Sequence, residues 1–489
     1  MTPRAILHVT SLFGGGVDRH LRDVIAGVPR EHLVWHAGEA GEALEDPAAR
    51  RFRPLAKDAF ETGRPVIASW LRARGVGLVH LHALGDEPRR RAEWVAAELG
   101  VPIVVTLHDV LFLDERAFER ADPLAGDAAW LAKVAPVLRR AARVVAPSDW
   151  LAGLARSRVP GLTIDVIPNG SPGPVRGSLA PREAFAARRP SRVVALLGAI
   201  GPHKGSAWVD ELAARLEPEG IALVVVGYLD RQLHPGWRSP SLFVHGAFAE
   251  GEAPGLLRGY GASLVVLPNA VPDSFSYALS DAWAAGVPVL APPVGAIAER
   301  IRAHGGGFLL PPAFDAEILA REIVALAGGA RDADRRRVQS QLDAPDEARW
   351  PTIATMTRSL DALYARFGIA PSAPEGADAA AIESLVARNL DGGLFRQELV
   401  RLCDEMAQVL ADLESTRSRA QAFESEARGW IAKLEADVAA VQAELRAANE
   451  AREALAKEAD ALRLDCEALE RLPSPVRRLL RKLAFDARG

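Results

Sequence analysis

Cysteine is scarce: the 489 residues hold two, Cys403 and Cys466, both in a late stretch of helical pattern. They build neither a disulfide framework nor a cysteine-rich metal site, and a reducing, cytoplasmic setting is expected. No run of about 18 or more apolar residues occurs, so no membrane-spanning helix is expected. The opening MTPRAILHVTSLFGGG has an apolar run too short, and too soon broken by His8, for a signal peptide. Charge of one sign in excess is also missing. A formal net charge of -4 argues against a whole-surface nucleic-acid binder and leaves room only for local basic patches. The G-x-G-x-x-G dinucleotide fingerprint is absent, because Gly14, Gly15 and Gly16 are consecutive.

What is present is ordinary globular composition, 49% hydrophobic and 25% charged, with length for two core domains and something extra. Near-continuous apolar runs alternate with helical stretches: AILHVTS (5–11), GLVHLHA (77–83), PIVVTLHD (102–109), RVVAPS (143–148) and IDVIPN (164–169). After a Pro/Gly/Arg-rich hinge, PGPVRGSLAPREAFAARRPS (172–191), the pattern restarts. RVVALLG (192–198), IALVVVG (221–227), LFVHGAF (242–248), SLVVLP (263–268), PVLAPP (288–293) and GFLLPP (307–312) make up the second series. Runs of this kind are strands covered on both faces. They predict an α/β chain of two doubly wound, Rossmann-like domains facing a cleft, over 1–185 and 190–345, with a closing helix at 346–368 and a linker at 369–398.

From Leu399 the grammar changes. Leu399, Leu402, Met406, Val409, Leu413 and, further on, Leu434, Val438, Leu445, Leu455 and Leu462 follow heptad spacing. A coiled-coil helix over 399–470, roughly 100 Å long at 1.5 Å per residue, is expected to pair chains into a homodimer. The last segment, 471–489, sets Arg477, Arg478, Arg481 and Lys482 beside Leu479, Leu480, Leu483 and Phe485. A basic amphipathic tail of this kind suits peripheral contact with an inner membrane face.

Chemistry concentrates at three strand-to-helix junctions. SLFGGGVDRHLRDV puts three glycines before a helix, where backbone N–H groups can face a phosphate or sugar. LLGAIGPHKGSAWVDELAARL (196–216) ends a strand in a turn carrying His203 and Lys204, and a lysine there can neutralise a departing diphosphate. LPNAVPDSFSYALSDAWAAGVPVLA holds Asp273 and Asp281, eight positions apart, around a loop and a helix that ends at Gly286. The Asp-x-Asp at 332–334 sits in a charged helical stretch and reads as solvated rather than as a metal site. His8, His80 and His82 lie on expected strands and read as satisfied core or cleft histidines.

GAIGPHKG, followed by VVGYLD, the Asp273–Asp281 segment and GAIAER, resembles the retaining GT-B glycosyltransferases of family 4, closest to bacterial members that build cell-surface polysaccharides. The likeness covers roughly residues 1–367. It implies that Asp273 hydrogen-bonds the donor sugar and Asp281 the ribose of the nucleotide. Backbone N–H groups of Phe275 and Ser276, with Lys204, would meet the diphosphate, Gly15 and Gly16 would line the cleft, and His108 would lie near the reacting sugar. Asp109 is a weaker candidate, since an acid just after a strand often caps the next helix. Family members carry an Arg shortly before the lysine; GAIGPHK has none, which leaves His203 as the substitute, and both acids are Asp where the family usually has Glu. The implied activity is metal-independent and cofactor-free, with a nucleotide-sugar donor and a glycan or lipid-linked acceptor. A sugar-nucleotide epimerase and a catalytically silent scaffold are the alternatives.

Overall fold

The computed structural model describes residues 4–370 apart from 12–14, 39–40, 50, 56–58, 121, 172, 189, 230–234, 345 and 347–348. Beyond these it describes 442 and, between 449 and 471, all but 462, 465–466 and 469. The first domain is built on β1 (Ala5–Thr10), β2 (Glu31–Gly38), β3 (Gly41–Asp46), β4 (Arg51–Pro54), β5 (Val76–Leu81), β6 (Ile103–Thr106), β7 (Arg143–Ala146) and β8 (Ile164–Val166). The sheet order is β4-β3-β2-β1-β5-β6-β7-β8, parallel except at β3 and β4. Its crossover helices are α1 (Gly15–Gly27), α2 (Ala59–Ala73), α3 (Asp86–Leu99), α4 (Ala128–Arg140) and α5 (Asp149–Arg158).

Strands β2, β3 and β4 are not among those the apolar runs predict. Their sequence carries Glu31, His32, His36 and Asp46, all buried. Both acids are paired: Arg74 donates to Glu31 at 2.7 Å and also bonds Asp46. A buried ion needs such pairing, and it breaks the hydrophobic pattern that strand recognition relies on.

The second domain begins after the short α6 (Glu183–Ala186). Its elements are β9 (Arg192–Ile200), α7 (Val209–Leu216), β10 (Ile221–Leu229), β11 (Gly236–Trp237), β12 (Leu242–Val244), α8 (Ala253–Gly259), β13 (Ala262–Val266) and α9 (Tyr277–Ala284). Then come β14 (Val289–Ala291), α10 (Gly295–His304), β15 (Gly307–Leu309), α11 (Ala316–Ala327) and α12 (Asp332–Asp343). The order β11-β12-β10-β9-β13-β14-β15 is parallel apart from the edge strand β11. At the functional end of the sheet β9 and β10 approach closely: a Cβ on Gly227, whose φ is 130°, would sit 2.1 Å from the Gly198 carbonyl oxygen. In α12, Asp334 pairs with Arg331 and Arg337, as a solvated charged helix does.

The chain then returns to the first domain. Helix α13 (Ile353–Ala365) lays Met356, Leu360, Leu363 and Tyr364 into the cluster of Ile6, Val24, Leu78 and Val104. Arg30 donates to Asp361 at 2.6 Å, and the Tyr364 hydroxyl meets His80 Nδ1 at 2.7 Å. The start of α13 presses on Gly170, where a Cβ would lie 2.4 Å from Ile353 Cα. Of the heptad region, 449–461 is helical, with Leu455 65% exposed. Apart from 442, 463–464, 467–468 and 470, the rest of that region lies outside the described residues, as do both cysteines and the segment 472–489. No described helix is long and apolar enough to cross a membrane.

Candidate active site

The loop from Asp273 into α9 has an unusual backbone. Ser276 has φ 71°, and no other described non-glycine residue has a positive φ. Such a conformation costs on the order of 1–3 kcal/mol and persists only where neighbours over-determine it. Here the clamp is Arg300 of α10: its Nη1 donates to the Phe275 and Ser276 carbonyls at 3.1 Å each, and Nη2 donates to Ser280 Oγ at 2.9 Å. Its guanidinium also covers the Phe275 ring at 4.2 Å. Burial pushes Arg300 down to about 9, still protonated at neutral pH. Ser276 Oγ caps α9 by accepting from Leu279 N at 3.3 Å. Arg300 is not a residue the sequence singles out, although it ends the GAIAER segment that carries the family resemblance.

Lys204 and Asp273 line one cavity at the C-terminal ends of β9 and β13, together with Leu197, Ile200 and Asn269. Open parallel sheets bind ligands at this edge. Asp281 lies on α9, 7% exposed, and is reached from the other domain: Arg19 of α1 donates to its Oδ2 at 3.3 Å and stacks over Tyr277 at 4.3 Å. Glu250 holds the same guanidinium through Nε at 3.0 Å. Burial raises the Asp281 carboxyl above the usual range, and Arg19 opposes the rise. Asp281 Oδ1 is buried with no hydrogen-bond partner among the described residues.

The remaining expected residues meet at the same cleft. Gly15 and Gly16 open α1, and a Cβ on Gly16 would stand 3.5 Å from the Tyr277 ring. The His108 carbonyl accepts from Ser274 Oγ across the cleft. His203 stacks on Phe118 of the first domain at 5.3 Å, and its carbonyl accepts from Ala270 N and Val271 N. Its ring is thus engaged with an aromatic neighbour, while a guanidinium reaches the second domain through Arg19. Asp109 caps a turn rather than a helix, accepting from Leu111 N at 2.8 Å, and burial pushes its carboxyl up to about 6.

Residues 14–171 match the family model described as Glycosyltransferase Family 4, and residues 191–328 match that of the glycosyl transferases group 1. The chain is a family 4 glycosyltransferase. Among solved structures, HepE from Anabaena in complex with UDP and glucose is 17% identical with a TM-score of 0.54, covering 74% of this chain and 100% of that one. The sucrose-phosphate synthase of Thermosynechococcus elongatus is also 17% identical, with a TM-score of 0.52 over 74% of this chain and 98% of its own. At these identities the likeness shows the two-domain, Rossmann-like fold. No curated protein matches the chain.

Behind the cleft the glycosyltransferase carries a row of imidazoles. His108 Nε2 meets His82 Nδ1 at 3.0 Å, His82 Nε2 meets His8 Nδ1 at 3.0 Å, and His8 Nε2 meets His32 Nδ1 at 2.9 Å. The row ends on the Val28 carbonyl, 3.0 Å from His32 Nε2. Burial holds all four rings below the usual histidine range, so they are neutral at pH 7. A carbonyl only accepts, so His32 carries its proton on Nε2, and the same assignment passes up the row. His82 therefore turns a lone pair on Nδ1 toward His108.

Proposed function

We propose that this glycosyltransferase moves a sugar from a nucleotide-sugar donor to a glycan or lipid-linked acceptor, with retention at the anomeric carbon, in cell-surface polysaccharide synthesis. The observation that carries the reading is that Lys204 and Asp273 line one cavity at the sheet edge, Asp273 on the loop whose carbonyls at Phe275 and Ser276 Arg300 holds. Lys204 and the N–H groups at the start of α9 stabilise the departing diphosphate, so the leaving group needs no hard divalent ion. Asp273 hydrogen-bonds the transferred sugar. Asp281 Oδ1, buried and without a partner among the described residues, accepts from the ribose hydroxyls while Arg19 holds Oδ2. The UDP and glucose named in the HepE complex make UDP-sugars the first donors to try.

Two further parts of the proposal concern assembly. Exposed Leu455 stands at a heptad position of a helix, which supports pairing of two chains through 399–469. The basic, apolar tail would then act twice per dimer, and linked weak membrane contacts reinforce each other through effective concentration.

The test is kinetic. Asp281→Ala weakens binding of UDP-sugars, read as loss of the donor-induced thermal shift. Asp273→Ala lowers kcat more than it raises KM, because contacts to the departing sugar tighten in the transition state. Wild-type kinetics in both variants would overturn the assignment. NMR of the product gives the anomeric configuration, and a labelled donor separates transfer from epimerisation.

A further inference from the structure

Two groups of three histidines bring ring nitrogens within 4.8 Å of one another in the first domain: His8, His80 and His82, and His20, His82 and His108. They differ in what their nitrogens already do. In the first group every ring nitrogen of His8 and His80 is engaged, His80 with the Tyr364 hydroxyl and with Thr106 Oγ1, both at 2.7 Å. Those imidazoles are satisfied, and nothing further is called for.

The second group is different. His20, on α1, is 1% exposed, and neither of its ring nitrogens has a hydrogen-bond partner among the described residues. The Asn169 side chain lies close enough to His20 to act on it as a hydrogen-bonding group, opposing the downward shift, although Asn169 Oδ1 is itself buried without a bond of ordinary geometry. A buried polar nitrogen left unmatched is costly, and Asn169 answers for at most one of the two on this ring, so the other calls for an occupant. The His20 ring stands edge-on to His108, 4.9 Å between centroids, and 5.8 Å from His82. Burial pushes His20 down to about 4, leaving it neutral like its neighbours. Neutral imidazole is the ligating form.

We infer that His20, His82 and His108 form a binding site for a late first-row divalent ion of the zinc type. Three imidazoles with one position left over suit Zn²⁺, Co²⁺ or Ni²⁺ and do not suit Mg²⁺ or Ca²⁺, which take oxygen ligands. At Zn–N distances of about 2.0–2.1 Å the ligating nitrogens stand roughly 3.4 Å apart. The His82 Nδ1 to His108 Nε2 contact, at 3.0 Å, opens only slightly to reach that value. His82 is prepared for the role, because the row through His8 and His32 to the Val28 carbonyl keeps its proton on Nε2 and its Nδ1 lone pair on the side of the site, where it accepts from His108 Nε2 until an ion takes that proton's place. An outer chain of this kind orients metal-binding imidazoles. His108 shifts its proton from Nε2 to Nδ1 and offers Nε2, so no proton is released. The ion would tie α1 to the ends of β5 and β6, stiffening the wall of the cleft opposite Lys204.

The full-length protein, stripped of metal and dialysed, is titrated with Co²⁺. One ion per chain is expected, with the strong visible absorption of tetrahedral Co²⁺, and Zn²⁺ should displace it. His20→Ala and His82→Ala should each lower the affinity at least 100-fold, His32→Ala should lower it 10- to 100-fold, and His304→Ala in the second domain should leave it unchanged. Circular dichroism of each variant separates loss of a ligand from loss of fold. His20→Asn, closer in shape and polarity, provides a second removal of the same ligand. Failure of the folded wild-type protein to take up Co²⁺ or Zn²⁺ would overturn the inference and leave a water as the occupant beside His20. Equal uptake by folded His20→Asn would overturn it too, by placing the ion elsewhere.

Discussion

Replacing Asp109 by Asn should stabilise the protein, and by an amount that depends on pH. The carboxyl is partly buried in the cleft wall and pushed from 3.8 to about 6, with burial as the chief cause. Such a displacement penalises the charged form by about 3 kcal/mol, which partial contact with water trims to ~2. Asn keeps the acceptor that Leu111 N uses at 2.8 Å, but adds an amide N–H₂ that costs up to ~1 kcal/mol if unpartnered. The net gain expected at pH 7–8 is therefore about 1–2 kcal/mol, or several degrees in the melting temperature of the first domain. The sign comes from proton counting. Between pH 3.8 and 6 the folded chain keeps a proton on Asp109 that the unfolded chain has released, so this group favours folding more as pH falls. Near pH 4 wild type and variant should converge. Comparing the two at each pH cancels Asp23, another acid pushed up to about 6. Urea unfolding of the metal-free protein at pH 4, 6 and 8 reads the difference, and a stability difference that does not change with pH would refute the reasoning.

Lys204→Ala should raise the barrier to transfer by on the order of 2–4 kcal/mol, read as loss of kcat/KM; activity within twofold of wild type would show the diphosphate to be held elsewhere. Added Mg²⁺ or Mn²⁺ should not accelerate transfer, and a strict requirement for either would count against Lys204 and α9 as the stabilising groups. Gly170→Ala should destabilise by more than about 2 kcal/mol, because its Cβ would lie 2.4 Å from Ile353 Cα and the α13 backbone must move; a melting temperature equal to wild type would refute this. A chain ending near Ala370 should be monomeric by light scattering and still bind donor, while the full chain self-associates at micromolar concentration.

The parallel strands were legible because burial on both faces leaves an unbroken apolar run, as in IALVVVG, whose residues are buried throughout Ile221–Gly227. The antiparallel edge was not, because its buried positions are occupied by paired ions such as Glu31 and Asp46, whose shared partner Arg74 lies far away in sequence. The site shows the same division. Lys204 and Asp273 could be named from local context, the end of a strand before a helix. Arg19 and Arg300 could not, since nothing near them in sequence reveals that one reaches Asp281 across the cleft and the other clamps Ser276. The histidine row depends on β1, β2, β5 and the loop after β6 lying side by side, so it arises from strand order rather than from any motif.

The return of α13 to the first domain bears on how the chain comes off the ribosome. Tyr364, Leu360 and Met356 complete a core to which Ile6, Val24, Leu78, Val104 and Ile167 contribute the early part. The domain begun first is therefore finished last, after the whole second sheet has emerged. Until then Ile6, Val24 and Leu78 lack their cover, and Arg30 lacks Asp361. A nascent chain stalled before residue 353 should expose this apolar patch to chaperones, even though every strand of the first sheet has been made.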